Sequence, residues 1–500
     1  MQYNKQQEIF LNYSSLDETS HYHDASNHGF FSILTKKTSE SVLKQHSYRL
    51  SEMETVLGLL DPSLDSYVSQ AEFLKPNRRV VNLLRLSLSY IDLDIYNSSD
   101  FSHLKNYAPE SVAEFLKTAC IDEGILPPSI IIFSGRGYYL KWFYTNPIPR
   151  ATLPRWNALQ RELVLRLSKY GADAAAKDAS RILRIVTSVN SKSGQIVRVV
   201  GATYEQDKIK SYGFDQLADE TLPFTREEIH QLREERAKKK SLRVIKGNKQ
   251  SGLKGFSGRR LAWDRLEDLR KLYILRGSES KEGERMLFLF WQINFLLLSG
   301  ATNANEMYLE ASELAKSIDP NWGYKSEELS TLYEKAKDYQ AGRSITFNNK
   351  QYPSLYTPKN QNLIDIFNIT SDEQKKLSTL IGKAESLERD RKRDKLRRRE
   401  RGVVTRAEYL ANSITKQKPW EKLGVSRSKW YEMENTLIGK SESLERYRQR
   451  EELRRRARGG VTRAEYLANF ITMQKPWEKL GVSRSKWYEM GKPAVPVDTK

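Results

Sequence analysis

Cysteine is almost missing from this sequence. Its 500 residues hold one, Cys120, which excludes an intrachain disulfide and any zinc site built on clustered thiolates. No apolar run is long enough to span a bilayer. The first ten residues lack the charged and apolar regions of a signal peptide. No G-x-x-x-x-G-K-[ST] loop occurs, so a built-in P-loop helicase motor is not expected. Together these absences fit a protein of a reducing cytoplasm.

What is present is positive charge. The formal net charge is +20 and the pI about 9.6, which favours a polyanionic partner, nucleic acid before an anionic membrane surface. The length suits two to four domains. Residues 1–50 are polar. They contain His21-Tyr22-His23, the spacing of the metal-binding histidine pair of rolling-circle nickases, but with no strand pattern or apolar flank. An exposed, flexible segment is expected there.

Residues 51–225 read as a mixed α/β domain organised around Ser89-Tyr90-Ile91-Asp92-Leu93-Asp94-Ile95-Tyr96. The stretch up to Leu84 reads as helical. The alternation after it is that of a strand, with Tyr90, Asp92 and Asp94 on one face and Ile91, Leu93 and Ile95 on the other. Two carboxylates about 7 Å apart on one face suit a hard divalent cation; the plainer reading is a solvated face. Pro109 opens a helix through Thr118. Ile130–Phe133 and Tyr138–Tyr144 read as a hairpin whose tip is Ser134-Gly135-Arg136-Gly137. Glycines let backbone N–H groups approach an anion, and Arg136 can grip phosphate; an ordinary turn is the alternative. A helix over Arg155–Tyr170 follows, with Trp156, Leu159, Leu163 and Leu167 on one face. Then come Asp173, Asp178, Arg181, Arg184, Asn190 and Lys192.

D-x-D on a strand, S-G-x-G on a hairpin, then an acid followed by R-x-x-R and N-x-K resembles the archaeo-eukaryotic primase superfamily, in particular its plasmid-encoded replication primases. The resemblance covers roughly residues 80–205. It implies an α+β architecture: a primase-like mixed α/β core with an RRM-like sheet flanked by helices. It also implies two divalent metals, Mg²⁺ or Mn²⁺, on Asp92, Asp94 and Asp173, with Asp178 as the alternative third ligand. Those acids would be catalytic. Ser134, Gly135, Arg136, Gly137, Tyr139, Arg181, Arg184, Asn190 and Lys192 are the matching nucleotide-binding candidates. The family's second motif is S-x-H; here Tyr138 and Tyr139 stand where the histidine is expected, and Arg136 and Lys192 are the candidates to replace its phosphate contact.

Residues 226–258 read as a charged linker and 259–345 as an all-helical domain. A linker with short helices follows over 346–378, with Thr370 or Ser371 as a cap. The tail repeats itself. Thr379-Leu-Ile-Gly-Lys recurs as Thr436-Leu-Ile-Gly-Lys, and the 57-residue offset persists to Trp430-Tyr431-Glu432 and Trp487-Tyr488-Glu489. Units 379–435 and 436–492 should therefore share a fold, ahead of a tail over 493–500. Each joins a basic helix to a pattern similar to a helix-turn-helix, whose third helix presents Arg427, Ser428 and Lys429, or Arg484, Ser485 and Lys486, to duplex DNA. Trp430 and Trp487 are expected to pack inward. Basic protein-interaction modules are the alternative.

The expected function is a plasmid replication protein that makes or extends primers on a single-stranded template from nucleoside triphosphates. The tandem repeats would bring it to an origin duplex, and a separate helicase would open the DNA. Two other readings stand beside it: a non-catalytic origin-binding initiator or repressor with a degenerate core, and a metal-dependent nuclease.

Overall fold

The computed structural model describes residues 13–37, 42–225, 227–228, 231, 256–278, 283–347, 350–400 and 418–437. They divide into two compact units, 1–389 and 390–500. Among the described residues no helix is long and apolar enough to cross a membrane.

The first unit begins with an α+β body. Nine strands make one antiparallel sheet: Phe30–Lys36 (β1), Lys44–Arg49 (β2), Asp65–Ser69 (β3), Glu72–Phe73 (β4), Leu83–Leu93 (β5), Ile130–Phe133 (β6), Tyr138–Pro149 (β7), Ile182–Arg184 (β8) and Arg198–Ala202 (β9). Neighbours run β9-β6-β7-β5-β4-β1-β3-β8, with β2 added to β1. Helices Ser15–Thr19 (α1), Met53–Gly58 (α2), Pro109–Asp122 (α3), Leu153–Arg166 (α4) and Phe214–Thr221 (α5) accompany it. α3 lies against β9, where Gly201 lets Ala113 come close; a Cβ at Gly201 would stand 3.2 Å from the Ala113 methyl.

β5 positions the site. Its central residues are buried on both faces, including Leu88, Tyr90, Ile91 and Leu93. One edge pairs with β7 from Arg85 to Leu93, opposing Asp92 to Tyr139 and Tyr90 to Lys141. The other edge meets β4 only at its start. A bare strand edge inside a protein leaves N–H and C=O groups without partners, which is costly. Side chains and a loop close it here. Trp156 of α4 donates Nε1–H to the Leu88 carbonyl (2.9 Å), and Gln160 bonds both the N–H and the C=O of Tyr90 (3.2 and 2.9 Å). Beyond them the 171–173 loop takes over: Asp173 N–H donates to Asp92 O and Asp94 N–H to Gly171 O, both 2.9 Å.

Residues 13–37 and 42–49 are not the flexible segment that their polarity suggests. β1 and β2 belong to the sheet, and Glu18, Tyr22 and His23 are buried. The Lys141 ammonium, also buried in β7, donates to the Glu18 carboxylate (2.6 Å) and to Gln70 Oε1 (2.6 Å) and faces the Tyr22 ring. Charged residues are tolerated inside only when paired in this way. The stretch before β5 is likewise not one helix. It supplies α2, β3 and β4, and Val80–Asn82 is a single 3₁₀ turn.

Helices Phe256–Leu275 (α6), Glu284–Ser299 (α7), Met307–Ile318 (α8) and Ser330–Gln340 (α9) form the helical body. α7 is the apolar stretch expected to be buried, and Phe288, Leu289, Ile293, Phe295 and Leu296 are fully so. Residues 346–378 are part of this body rather than a linker. A hairpin, Ser344–Phe347 with Lys350–Pro353, leads to Asn360–Ile366 (α10), Ser371–Lys376 (α11) and Lys383–Glu400 (α12). Leu363, Phe367, Leu377 and Leu380 are buried, and Asp268 of α6 accepts the N–H groups of Ser378, Thr379 and Leu380. Thr370 caps α11 in a box with Glu373. Most of the expected linker over 226–258 lies outside the described residues.

The helical body grips the start of β5. Glu310 of α8 accepts the N–H groups of Val80 and Val81 (3.1 and 3.0 Å), while Arg150 and Arg270 donate to the Val81 carbonyl (3.1 and 2.7 Å). Burial pushes the Glu310 carboxyl up to about 7.

The second unit is described over 390–400 and 418–437. Pro419–Lys422 (α13) and Arg427–Leu437 (α14) flank a turn in which Gly424 takes φ +63°. Ser426 Oγ accepts the Lys429 N–H (3.2 Å) and so caps α14. Trp420, not Trp430, is the buried tryptophan here; Trp430 is half-buried beside it. The whole second copy, with Arg484, Ser485, Lys486 and Trp487, lies outside the described residues.

Candidate nucleotidyl-transfer site

Asp92 and Asp94 sit where β5 ends. Asp92 is its penultimate residue, whereas Asp94 lies past the strand and begins the 3₁₀ turn Ile95–Asn97. Strict alternation on one face therefore stops at Asp92. Two glycines make the junction possible. A Cβ at Gly137 would stand 2.4 Å from the Leu93 carbonyl oxygen, and one at Gly171 2.5 Å from that of Asp94. Real Cβ atoms do not approach so closely, and Gly171 also has φ +89°, a conformation that side-chain-bearing residues resist. The hairpin tip and the acid loop thus both pack directly on the backbone of the D-x-D pair.

The acid loop brings a third carboxylate. Asp173 is joined to Asp92 by the backbone bond above, and Leu93 bridges Ala172. Asp178 lies one step further out, its carbonyl accepting from Tyr90 Oη (2.7 Å). The charges interact. Burial raises the Asp92 carboxyl first, Arg181 opposes the rise, and Asp173 and Asp94 add to it, leaving Asp92 at about 6. Arg181 faces Asp178 (3.4 Å) and Asp173 (3.9 Å). Burial works against its charge, but Asp178, Tyr90, Asp173 and Asp92 outweigh burial and hold its guanidinium above the ordinary value.

These carboxylates are partly committed. Asp94 accepts from Asn97, Asp173 from the Ala175 N–H (2.8 Å), and Asp178 from Ser180 (2.9 Å). Among the described residues no three Asp, Glu, His or Cys side chains stand together in metal-ligating geometry. The donor chemistry nevertheless fits a hard divalent cation. Carboxylates from two segments raise Asp92 on top of its burial, and the strongest opposing influence is a single guanidinium.

The hairpin tip is built as its sequence implies. Ser134 N–H donates to Gly137 O (2.9 Å), and Gly137 N–H to Ser134 Oγ (3.1 Å). Gly135 has φ +88°, and Arg136 is exposed. A short ribbon, Val189–Asn190 with Gln195–Ile196, leans on the tip. Asn190 donates to the Ser134 carbonyl (2.8 Å), and a Cβ at Gly135 would stand 2.8 Å from that of Asn190. Exposed Lys192 lies on the same ribbon's turn. Tip, ribbon and acids are therefore one assembly.

Two candidates differ from expectation. Arg184 is not presented to a phosphate. It is buried, paired with Asp65 and laid over the Tyr67 ring at 4.8 Å. Tyr139, a nucleotide-binding candidate, is buried across from Asp92, and burial pushes its hydroxyl up, so it stands beside Asp92 as a neutral group. Asp65 gave no signal in the sequence, yet it holds Arg184 and, through the Ser191 N–H (3.0 Å), the ribbon. Gly171 had a signal, since it follows a helix and precedes the acid.

No family model matches the chain. A replication protein of Clostridium perfringens is 29% identical over 339 residues, 68% of this chain and 73% of that protein. Among solved structures, the AEP domain of the cyanophage S-2L primase-polymerase matches 40% of this chain and 91% of its own, with TM-score 0.29 and 16% identity. Primase RepB′ matches 63% of this chain and 97% of its own, with TM-score 0.27 and 14% identity. Its catalytic domain in complex with initiator DNA matches 46% and 100%, with TM-score 0.26 and 13% identity.

Proposed function

We propose that this chain is a plasmid replication protein that performs metal-assisted nucleotidyl transfer on a single-stranded template. The observation carrying the proposal is the junction of Asp173 with Asp92 through the backbone, beside Asp94, beneath a glycine tip. The 29% identity to a replication protein supports it. Asp92, Asp94 and Asp173, or Asp178 in place of the last, would hold Mg²⁺ or Mn²⁺. Such ions supply charge neutralisation at the triphosphate and favour ionisation of the attacking hydroxyl.

The chain's own groups do the remaining work. Arg136 and Lys192, exposed on the tip and the ribbon, would meet phosphate oxygens, and phosphoryl transfer depends chiefly on such positioning and charge stabilisation. Arg181 balances the acids and keeps their side chains gathered. Tyr139 and the closed edge of β5 exclude water from below Asp92. The second unit would bring the core to an origin duplex through Arg427, Ser428 and Lys429. A borrowed helicase would open the DNA.

A second reading, a non-catalytic initiator, draws on two observations: tyrosines replace the motif-two histidine, and Arg184 is committed to Asp65. Incubation with single-stranded template, nucleotides and Mn²⁺ decides. Elongated products support transfer, duplex binding without chemistry supports the initiator, and a shortened template points to a nuclease. With Asp92→Asn, incorporation should fall by roughly 10³-fold while the fold is kept.

A further inference from the structure

A groove of about 970 Å³ opens beside the start of β5, at the other end of that strand from the acids. Arg85 and Asp92 are seven residues apart along β5, roughly 23 Å at strand spacing, so the groove is not part of the transfer site. Two cross-strand pairs build it. Phe30 at the head of β1 opposes Arg49 at the end of β2, and Arg85 of β5 opposes Pro149 of β7. Directly opposed residues share a face, and the Arg49 guanidinium accordingly lies over the Phe30 ring, 5.9 Å from its centre. Leu74 and Leu84 complete an apolar wall.

The rim is set before any ligand arrives. Asp24 accepts the Ser26 N–H and hydroxyl (2.9 and 2.7 Å) and the Asn27 amide (2.8 Å), and Arg85 donates to the His28 carbonyl (3.0 Å). Gly29 packs on Leu84, where a Cβ would stand 2.9 Å from Cδ2. The cations are unequally engaged. Arg85 is paired with buried Glu72. Arg49 is exposed and has no ion pair among the described residues; Glu52, three residues on, accepts its backbone N–H instead (2.7 Å). No carboxylate among the described residues lines the groove. A cleft that joins an aromatic ring and an apolar wall to a guanidinium, without an acid, suits a nucleotide: the base has a ring to stack on, and the phosphate a planar fork to meet.

We infer that this groove binds an unpaired nucleotide of single-stranded DNA, with the base against Phe30 and the apolar wall and the phosphate on Arg49. The choice of DNA rests on the proposed function. The groove itself favours a polymer over a free nucleotide. It is open to solvent, and its volume is near the top of the range of about 300–1,000 Å³ for small-ligand clefts. The net charge of +20 favours the strand as well.

The test uses the full chain in EDTA, so that its outcome does not depend on catalysis. Fluorescence anisotropy with a labelled oligothymidylate is measured across a salt series for the wild type, Phe30→Ala, Phe30→Tyr, Arg49→Gln and Arg49→Lys. Phe30→Ala should weaken binding about tenfold and leave the salt slope unchanged, because stacking carries no charge. Phe30→Tyr keeps the ring and should bind like the parent. Arg49→Gln should reduce the salt slope by about 0.7, the share of one phosphate contact on a single strand, while Arg49→Lys keeps it. Arg49 is exposed, so its variants should melt with the parent and decide the matter even where Phe30→Ala weakens the fold. Unchanged affinity and slope in Arg49→Gln would overturn the inference, as would a wild type that does not hold the oligonucleotide in EDTA. If Arg49→Gln loses labelled dATP and keeps the oligonucleotide, the groove takes a free nucleotide and the choice of DNA falls. If the variants behave as expected but the wild type incorporates nothing with Mn²⁺, the groove stands and the transfer reading falls.

Discussion

At the scale of single residues, the site depends on what is left out. Gly137 and Gly171 carry no side chain where one would strike the backbone of Leu93 and Asp94. Gly171→Ala should cost about 1–3 kcal/mol by urea denaturation, since the loop must retreat from Asp94 or accept a strained φ. Gly194→Ala is the control. It also has a positive φ, +69°, but nothing lies within 4 Å of its Cβ, so it should lose only about 1 kcal/mol. Equal losses would mean that conformation alone, and not contact with Asp94, fixes Gly171. The Gly171 variant should also incorporate nucleotides poorly, because a shift of about 1 Å between Asp94 and Asp173 suffices to disturb positioning.

At the scale of elements, β5 is held at both ends by different means. Its start is held by Glu310, Arg150 and Arg270 and its end by the acid loop. Glu310 makes the first clamp sensitive to pH. Its carboxyl rises from 4.5 to about 7 on folding, so the folded chain binds that proton more tightly than the unfolded one. The stabilisation is complete below pH 4.5 and is lost as pH rises through about 7, with a total on the order of 3 kcal/mol. Glu310→Gln should flatten this part of the stability profile and make the variant more stable than the parent at pH 8, as read by thermal melts across pH. A profile that keeps its slope would remove Glu310 as the cause. Much at this scale was legible in advance. β5, the β6–β7 hairpin, α4 and the buried α7 follow from alternation, glycine placement and helical spacing. β1 to β4 did not follow. Glu18, Gln70 and Lys141 are polar residues whose burial makes sense only once each has met the others, and a pattern of local hydrophobicity registers them as surface. The same reason hid Asp65. The order of the acids at 92, 94 and 173 can be read along the chain, but the backbone bond that joins Asp173 to Asp92 cannot. That Arg184 turns away to Asp65 was not legible either, since i, i+3 spacing says nothing of a partner 119 residues distant.

At the scale of the whole molecule, a buried pair ties α1 to β7 across 123 residues of chain. Lys141 and Glu18 are both wholly inside, and burial alone would drive the Lys141 ammonium to lose its charge. Glu18→Ala should destabilise the chain by about 3–5 kcal/mol, because it leaves that ammonium alone. Glu18→Gln with Lys141→Met should recover most of the loss in a denaturation series. A single Glu18→Ala variant of parental stability would show the pair to be dispensable. The pairing also sets a timetable. At translation rates of about 5–20 residues per second, an acid that has left the ribosome waits roughly 6 to 25 s for a base made 123 residues later. Throughout that interval the nascent arm has no finished sheet to join, and a chaperone able to shield it has its longest opportunity.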